Sequence, residues 1–159
     1  MKKLAILIIA LVASVSCYAQ KEGDFAIGGG FGIAPCLEKG AGLTNFGIGA
    51  RVQYNIIDPV RIEGVMNYWF KSKGVGVFDI IFNAHYIIPV ASKVKLYPLA
   101  GLGYGHLSGG GGANKFTFNV GLGSEFDITS RLSAFLELKY QYMSHFSRLP
   151  IQVGVVYRL

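Results

Sequence analysis

Hydrophobic and polar residues alternate along most of this chain. In the stretch TNFGIGARVQYNI, positions 44–56, every second residue from Phe46 to Ile56 is apolar, and the residues between them are glycine, amide or arginine. Alternation with period two places successive side chains on opposite faces and predicts a β-strand. Strands of soluble domains average about five or six residues. This one is longer, close to the roughly nine to eleven residues that a tilted strand needs to cross a bilayer.

The same alternation predicts eight strands, which we assign to residues 24–34, 43–56, 60–71, 76–88, 93–107, 115–127, 131–144 and 150–159. The joins at 58–59, 89–92 and 129–130 are short turns, whereas those around 35–42, 72–75, 108–114 and 145–149 are longer or rich in glycine. No segment has a helical period. An even number of strands, joined by short turns that alternate with longer connections, predicts an all-β fold, an eight-stranded antiparallel up-and-down transmembrane β-barrel.

Charged residues avoid the apolar phase of all eight predicted strands. A basic residue there would cost about 2–4 kcal/mol at the bilayer midplane. The opposite phase holds five basic and five acidic residues: Arg51, Arg61, Lys95, Lys139 and Arg158 with Glu63, Asp79, Glu125, Asp127 and Glu137. Buried charges persist when they are paired and hydrogen-bonded, so we expect these ten residues to form a self-neutralising network inside the barrel. A soluble β-sandwich, with the charged phase facing water, is the structural alternative.

Aromatic residues fall near the ends of the predicted strands. Those expected at the outer ends are Tyr68, Phe70, Phe78, Tyr104, Phe116, Tyr140 and Tyr142, and those at the periplasmic ends are Phe25, Tyr54, Tyr86, Phe126 and Tyr157. Two such girdles are expected where rings settle at headgroup level. The inward phase also carries large residues, Val65, Trp69, Ile81, Tyr97, Leu99 and Phe135. Because an eight-stranded barrel has room only for side chains, we expect a plugged lumen rather than a pore.

The N-terminus predicts export. Residues 1–19 combine Lys2 and Lys3 with the apolar run 4–12 and a small-residue site, the pattern of a secretory signal peptide cleaved after Ala19. A lipoprotein, cleaved before Cys17, is the alternative. Cleavage after Ala19 would leave a single domain, residues 20–159, with the formal net charge reduced from +6 to +4 and Cys36 without a disulfide partner. The chain is 52% hydrophobic, which suits a barrel in lipid.

Three segments carry a family resemblance. LYPLAGLGYG at 96–105, the long segment at 119–142 and the closing IQVGVVYRL resemble the small eight-stranded outer-membrane barrels of Gram-negative bacteria, of the OmpX/OmpA type and often labelled porin-like. The resemblance implies a monomer in the bacterial outer membrane, in contact with its lipid and lipopolysaccharide. It also implies recognition by the barrel-assembly machinery through Ile151 to Leu159, although the family usually ends on phenylalanine.

Several motifs that could indicate ligand binding or catalysis are interpreted here as structural. Gly101, Gly103 and Gly105 precede another strand rather than a helix, so we expect them to line the barrel wall and not a nucleotide. Positions 109–112 form a glycine loop. His145 and Ser147 are similar to the catalytic pair of lipid A deacylase barrels, an enzyme alternative weakened because no acidic residue follows Glu137. We expect no enzyme activity, no cofactor and no nucleic-acid binding.

Metal binding is not expected either. Cys36, His106 and His145 could all lie near the outer rim, but they lack the local spacing of a metal site. His85 falls in the inward phase, where an interior histidine with polar partners is expected.

The surplus positive charge is predicted to lie at the outer rim. Lys39, Lys71, Lys73, Lys115 and Arg148 oppose Glu38 there, whereas the charges of the periplasmic rim balance. We therefore expect electrostatic contact with lipopolysaccharide phosphates. A set of solvated loops without a ligand is the alternative.

Overall fold

The computed structural model describes residues 23–38, 42–109, 112–144 and 146–159. The predicted signal peptide and its cleavage site lie outside the described residues, as do Lys39 and His145. No helix long and apolar enough to cross a membrane occurs in the described part of the chain.

Ten β-strands account for most of the described residues. They are β1 (Phe25–Pro35), β2 (Thr44–Ile57), β3 (Val60–Ser72), β4 (Val75–Tyr86), β5 (Ile88–Ala91), β6 (Val94–Ser108), β7 (Ala113–Asp127), β8 (Leu132–Met143), β9 (Phe146–Arg148) and β10 (Ile151–Arg158). Two breaks make ten strands out of the eight predicted. β5 follows β4 along β6, and β9 precedes β10 along β8.

The strands close into one antiparallel barrel. Strands adjacent in the chain pair with each other, except that β4 and β5 both pair with β6 and that β9 and β10 both pair with β8. Because β10 also pairs with β1, the described part of the wall has no free sheet edge. The ten strands thus occupy eight positions around the barrel, which confirms the fold predicted from the alternation. Strand boundaries differ slightly. The turn predicted at 89–92 is mostly β5, because the backbone keeps pairing with β6 as far as Ala91.

The two ends of the barrel differ. At one end, here called the turn end, lie the connections 58–59, 92–93 and 128–131, together with the start of β1 and the end of β10. The other end, here called the loop end, carries the connections after β1, β3, β6 and β8. The connection from β1 to β2, at 36–43, is the longest of these.

The barrel is apolar outside and polar inside. Phe82, Phe46 and Leu122 expose 69%, 67% and 65% of their surface on the outward face. Arg61, Asp79 and Glu137 are fully buried on the inward face. This distribution rules out the soluble sandwich, because closure leaves no second sheet to cover the apolar face. It fits a wall surrounded by lipid.

Glycines form part of the inner wall where larger side chains cross the lumen. A Cβ at Gly123 would collide with the ring of Tyr97, and one at Gly47 would collide with the indole of Trp69. Gly101, Gly103 and Gly105 are backed in the same way by Asn83, Ile81 and Met143. The glycines thus let a narrow barrel hold large interior side chains.

Candidate functional site

The middle of the lumen contains a cluster of two cations and two carboxylates. The Arg51 guanidinium donates to Glu137 at 2.6 and 3.2 Å and to Glu63 at 3.1 Å, so it bridges carboxylates from β8 and β3. Lys139 donates to Oε2 of Glu137 at 2.9 Å, an oxygen that also accepts from Arg51. The Tyr97 hydroxyl also donates to Glu137, at 2.9 Å. This central cluster is electrically neutral and spans the lumen.

A second cluster lies at the turn end. Arg61 donates to Glu125 at 2.8 Å, and Lys95 contacts Asp127 at 2.9 Å. Arg158 reaches both carboxylates, at 3.0 Å to Glu125 and 2.6 Å to Asp127. Three cations therefore share two carboxylates. This cluster is partly open to solvent, since the side chains of Asp127 and Arg158 remain 20% and 14% exposed.

A third cluster lies towards the loop end and is built around Asp79. Its carboxylate accepts hydrogen bonds from Asn67 at 2.7 Å and from the Trp69 indole at 3.1 Å, and it forms an ion pair with Arg148. Arg148 also donates to Gln141 at 2.8 Å. All ten charged residues assigned to the lumen thus lie in three clusters, together with one further cation.

The position of this further cation, Arg148, corrects the prediction made from the sequence. The sequence places Arg148 at the solvated rim, but its side chain is fully buried. The error arose because Pro150 interrupts the alternation and makes 145–149 resemble a loop. In the structure β9 pairs with β8 and aligns Arg148 with Gln141 on the inward face. Among the described residues, the three clusters therefore hold six cations and five carboxylates, rather than equal numbers.

Each of three interior arginines also stacks on an aromatic ring. Arg51 lies 3.7 Å from the centroid of Phe135, Arg61 lies 4.9 Å from Tyr97, and Arg148 lies 4.8 Å from Trp69. Such cation–π contacts contribute about 2 kcal/mol when desolvated. The inward aromatic residues therefore help to hold the charged network as well as fill space.

Amides and a histidine connect the three clusters. Lys139 donates to Gln152 at 2.7 Å, and Gln152 donates to Asn67 at 2.9 Å, which leads from the central cluster to Asp79. In the other direction Arg61 donates to Nδ1 of His85 at 3.1 Å, and Nε2 of His85 lies 3.5 Å from Glu63. Polar contacts thus run along most of the lumen.

One group in the lumen has the composition of a metal site. Ligand atoms of Glu63, His85 and Glu137 lie within 4.8 Å of one another, a grouping that the sequence analysis missed because it requires the barrel register. Both carboxylates already accept hydrogen bonds from Arg51. Glu63 also accepts from Gln53 at 2.8 Å and Asn83 at 2.9 Å. A cation would have to displace these donors, so the trio acts as part of the ion-pair network.

The rim lysines face different directions. Lys71 and Lys73 are exposed beside the β3–β4 turn. Lys115 is half-buried, and its register position opposite Gly105 and Asp79 assigns it to the lumen mouth. Of the five residues predicted to contact lipopolysaccharide, Arg148 is buried and Lys39 lies outside the described residues.

The suspected catalytic serine has a different partner. The Tyr140 hydroxyl donates to Oγ of Ser147 at 3.1 Å. Tyr140 belongs to the exposed outward face, whereas the carboxylates of the three clusters point inward. The structure thus brings no carboxylate of these clusters to Ser147, and His145 lies outside the described residues.

Cys36 and His106, two of the residues considered for a metal site at the rim, have different surroundings. Cys36 is a half-buried free thiol bridged through its backbone to Arg148. His106 is exposed on the outward face and its Nδ1 lies 2.7 Å from Oδ1 of Asn114.

Comparison with known proteins places this architecture in one family. The family described as the outer membrane protein beta-barrel domain matches residues 5–158, which is nearly the whole chain. No curated protein matches the sequence.

Solved structures share the fold at low sequence identity. Neisserial surface protein A (NspA) superposes with a TM-score of 0.75 at 17% identity, over 87% of this chain and 100% of that one. The N-terminal β-barrel domain of Pseudomonas aeruginosa OprF gives 0.68 at 17% identity, over 88% and 100%. Ail, the attachment invasion locus protein of Yersinia pestis, in complex with the heparin analogue sucrose octasulfate gives 0.62 at 19% identity, over 87% and 99%.

Proposed function

Since the chain belongs to the outer membrane protein beta-barrel domain family, we propose that it is a small surface or structural barrel with a closed lumen and a basic loop end. The observation that carries the proposal is the network of ion pairs across the lumen. In this proposal the barrel is a monomer without catalytic activity. Its turn end faces the periplasm, and β10 with Leu159 is the segment that the barrel-assembly machinery recognises.

The closed lumen is supported by contacts that cross it between strands three positions apart around the barrel. Arg51 on β2 reaches Glu137 on β8, and Arg61 on β3 reaches Glu125 on β7. Trp69, Tyr97 and Phe135 fill space between them and are almost fully buried. An ion entering this lumen would have to separate buried charge pairs, and breaking such a pair costs several kcal/mol.

We therefore expect no stable channel from the intact barrel. In planar bilayers the purified protein should give only brief, irregular current at voltages where an open porin conducts steadily. Glu137→Ala serves as a comparison, because it shortens a side chain at the centre of the network. Steady openings of the parent protein whose size changes in Glu137→Ala would contradict the closed lumen.

The basic loop end supports contact with an anionic layer. Lys71, Lys73 and Lys115 oppose a single described acidic residue, Glu38, beyond the ring of exposed aromatic residues. The phosphates of lipopolysaccharide carry the complementary charge in the outer leaflet. Ail, which shares the fold, has been crystallised with a polysulfated sugar, so a barrel of this shape can receive a polyanion.

Neutralising the rim lysines should weaken association with lipopolysaccharide. One basic residue at an anionic membrane surface contributes about 1 kcal/mol, so Lys71→Gln, Lys73→Gln and Lys115→Gln together should reduce binding by one to two orders of magnitude. Binding can be followed by co-sedimentation with lipopolysaccharide aggregates at low and high salt. The difference between parent and triple variant should shrink as salt rises. Equal binding at low salt would contradict the proposal.

A further inference from the structure

Four polar side chains form a patch on the outward, lipid-facing side of the loop end. A Cβ atom added to Gly76 would lie 3.0 Å from Cγ of Lys71 and 2.9 Å from Oγ of Ser108. The side chains of Lys71 and Ser108 therefore both lie over this glycine. Gly76 pairs with Ser108, and two residues further along Phe78 pairs with His106. His106 in turn pairs with Asn114 on β7. We call Lys71, Ser108, His106 and Asn114 the flank patch.

The flank patch offers complementary hydrogen-bonding groups. Nδ1 of His106 lies 2.7 Å from the amide oxygen of Asn114. An amide oxygen only accepts, so Nδ1 is the donor in this contact, and in that tautomer Nε2 is an acceptor. The amide nitrogen of Asn114 and the ammonium of Lys71 are donors. A phosphate could therefore approach Lys71 while a neighbouring sugar hydroxyl donates to His106.

The surroundings of the patch favour a lipid over a soluble anion. Tyr104 and Phe116 lie on the same face, nearer the membrane, and are 54% and 59% exposed. Phe78, 37% exposed, lies beside His106. Tyr104 pairs directly with Phe116, and Ile80 pairs with Tyr104. A polar patch that continues into an apolar face matches a molecule with a polar headgroup and acyl chains.

We propose that the flank patch binds the phosphorylated sugar headgroup of a glycolipid in the outer leaflet, with Lys71 holding the phosphate and His106 accepting from a sugar hydroxyl. The inference rests on the proposed function, because it requires the loop end to face that leaflet. It adds a location. The lipid approaches the flank of the barrel between β3 and β7 rather than its mouth, where Lys115 lies.

Lys115→Gln is the matched comparison for position, since it removes the same charge as Lys71→Gln at the same end of the barrel but at the mouth. Parent and variants are placed in phosphatidylcholine nanodiscs that contain diphosphoryl lipid A, and bound lipid A is counted by native mass spectrometry. Heat-modifiable migration verifies that each variant is folded. We expect Lys71→Gln to weaken retention about fivefold, His106→Ala roughly threefold, and Lys115→Gln clearly less than Lys71→Gln, because Lys115 attracts the phosphates only from the mouth.

Lipid A without phosphates separates the two roles. With that lipid the effect of Lys71→Gln should vanish, whereas the effect of His106→Ala should persist. Equal losses from Lys71→Gln and Lys115→Gln would overturn the flank patch but leave the charge-based function standing. A parent barrel that retains lipid A no better than phosphatidylcholine would instead contradict the proposed function.

Discussion

Replacing Arg51 with methionine is expected to lower the free energy of unfolding by about 3–5 kcal/mol, the usual effect of removing one partner from a buried ion pair. Arg51 bridges Glu63 and Glu137 and stacks on Phe135. Without its guanidinium, Glu137 would keep Lys139 as an ion-pair partner, whereas Glu63 would keep the amide donors Gln53 and Asn83. Urea titration of the barrel in lipid vesicles, followed by heat-modifiable migration, measures the change.

A second substitution tests whether charge is the cause. In Arg51→Met combined with Glu137→Gln, one of the two carboxylates is neutral, and the double variant should be more stable than Arg51→Met alone. A double variant that is less stable than the single one would show that the loss comes from packing against Phe135. Near-parent stability of Arg51→Met would contradict the role of the central cluster.

Replacing Arg148 with glutamine should destabilise the barrel by a similar amount, about 3–5 kcal/mol. Arg148 is the ion-pair partner of Asp79 and is fully buried, so its loss leaves a buried carboxylate whose remaining partners among the described residues are Asn67 and the Trp69 indole. Trp69 is the single tryptophan of the chain. Its fluorescence can therefore report unfolding in urea alongside heat-modifiable migration.

The comparison with Lys115→Gln makes this prediction decisive. Both substitutions remove one positive charge near the loop end, but Lys115 is only half-buried at the mouth. Its loss should change the free energy of unfolding by no more than about 0.5 kcal/mol, as is usual for surface substitutions. If Arg148→Gln were equally mild, Arg148 would be the solvated rim residue that the sequence alone suggests. Asp79→Asn combined with Arg148→Gln should recover part of the lost stability.

The interior network also explains how side chains fill the lumen of this barrel. Polar contacts connect the three clusters, and arginine–aromatic stacking fills the gaps between the walls. Glycines make room opposite the largest side chains, as at Gly123 beside Tyr97. A buried network of this kind is stabilising only when nearly every group has a partner. Substitutions in it should therefore be costly wherever they fall.

The alternation of the sequence alone determined the eight-position barrel and the inward direction of most charges. It could do so because side-chain direction in a strand depends only on the parity of the position. Phe82 and Glu63 were assigned to opposite faces by this rule, and the structure agrees. The same rule failed at Pro150, where a break in the pattern concealed β9 and the inward direction of Arg148.

Only the tertiary structure decided which residues meet. Glu63 and Glu137 are far apart in the chain and share Arg51 because closure between β1 and β10 fixes the stagger of all the strands. The flank patch likewise depends on the register that aligns Phe78, His106 and Asn114. Parity tells which face a side chain occupies, but its height on the barrel depends on pairing across the whole sheet. That pairing is a property of the closed barrel and not of any single strand.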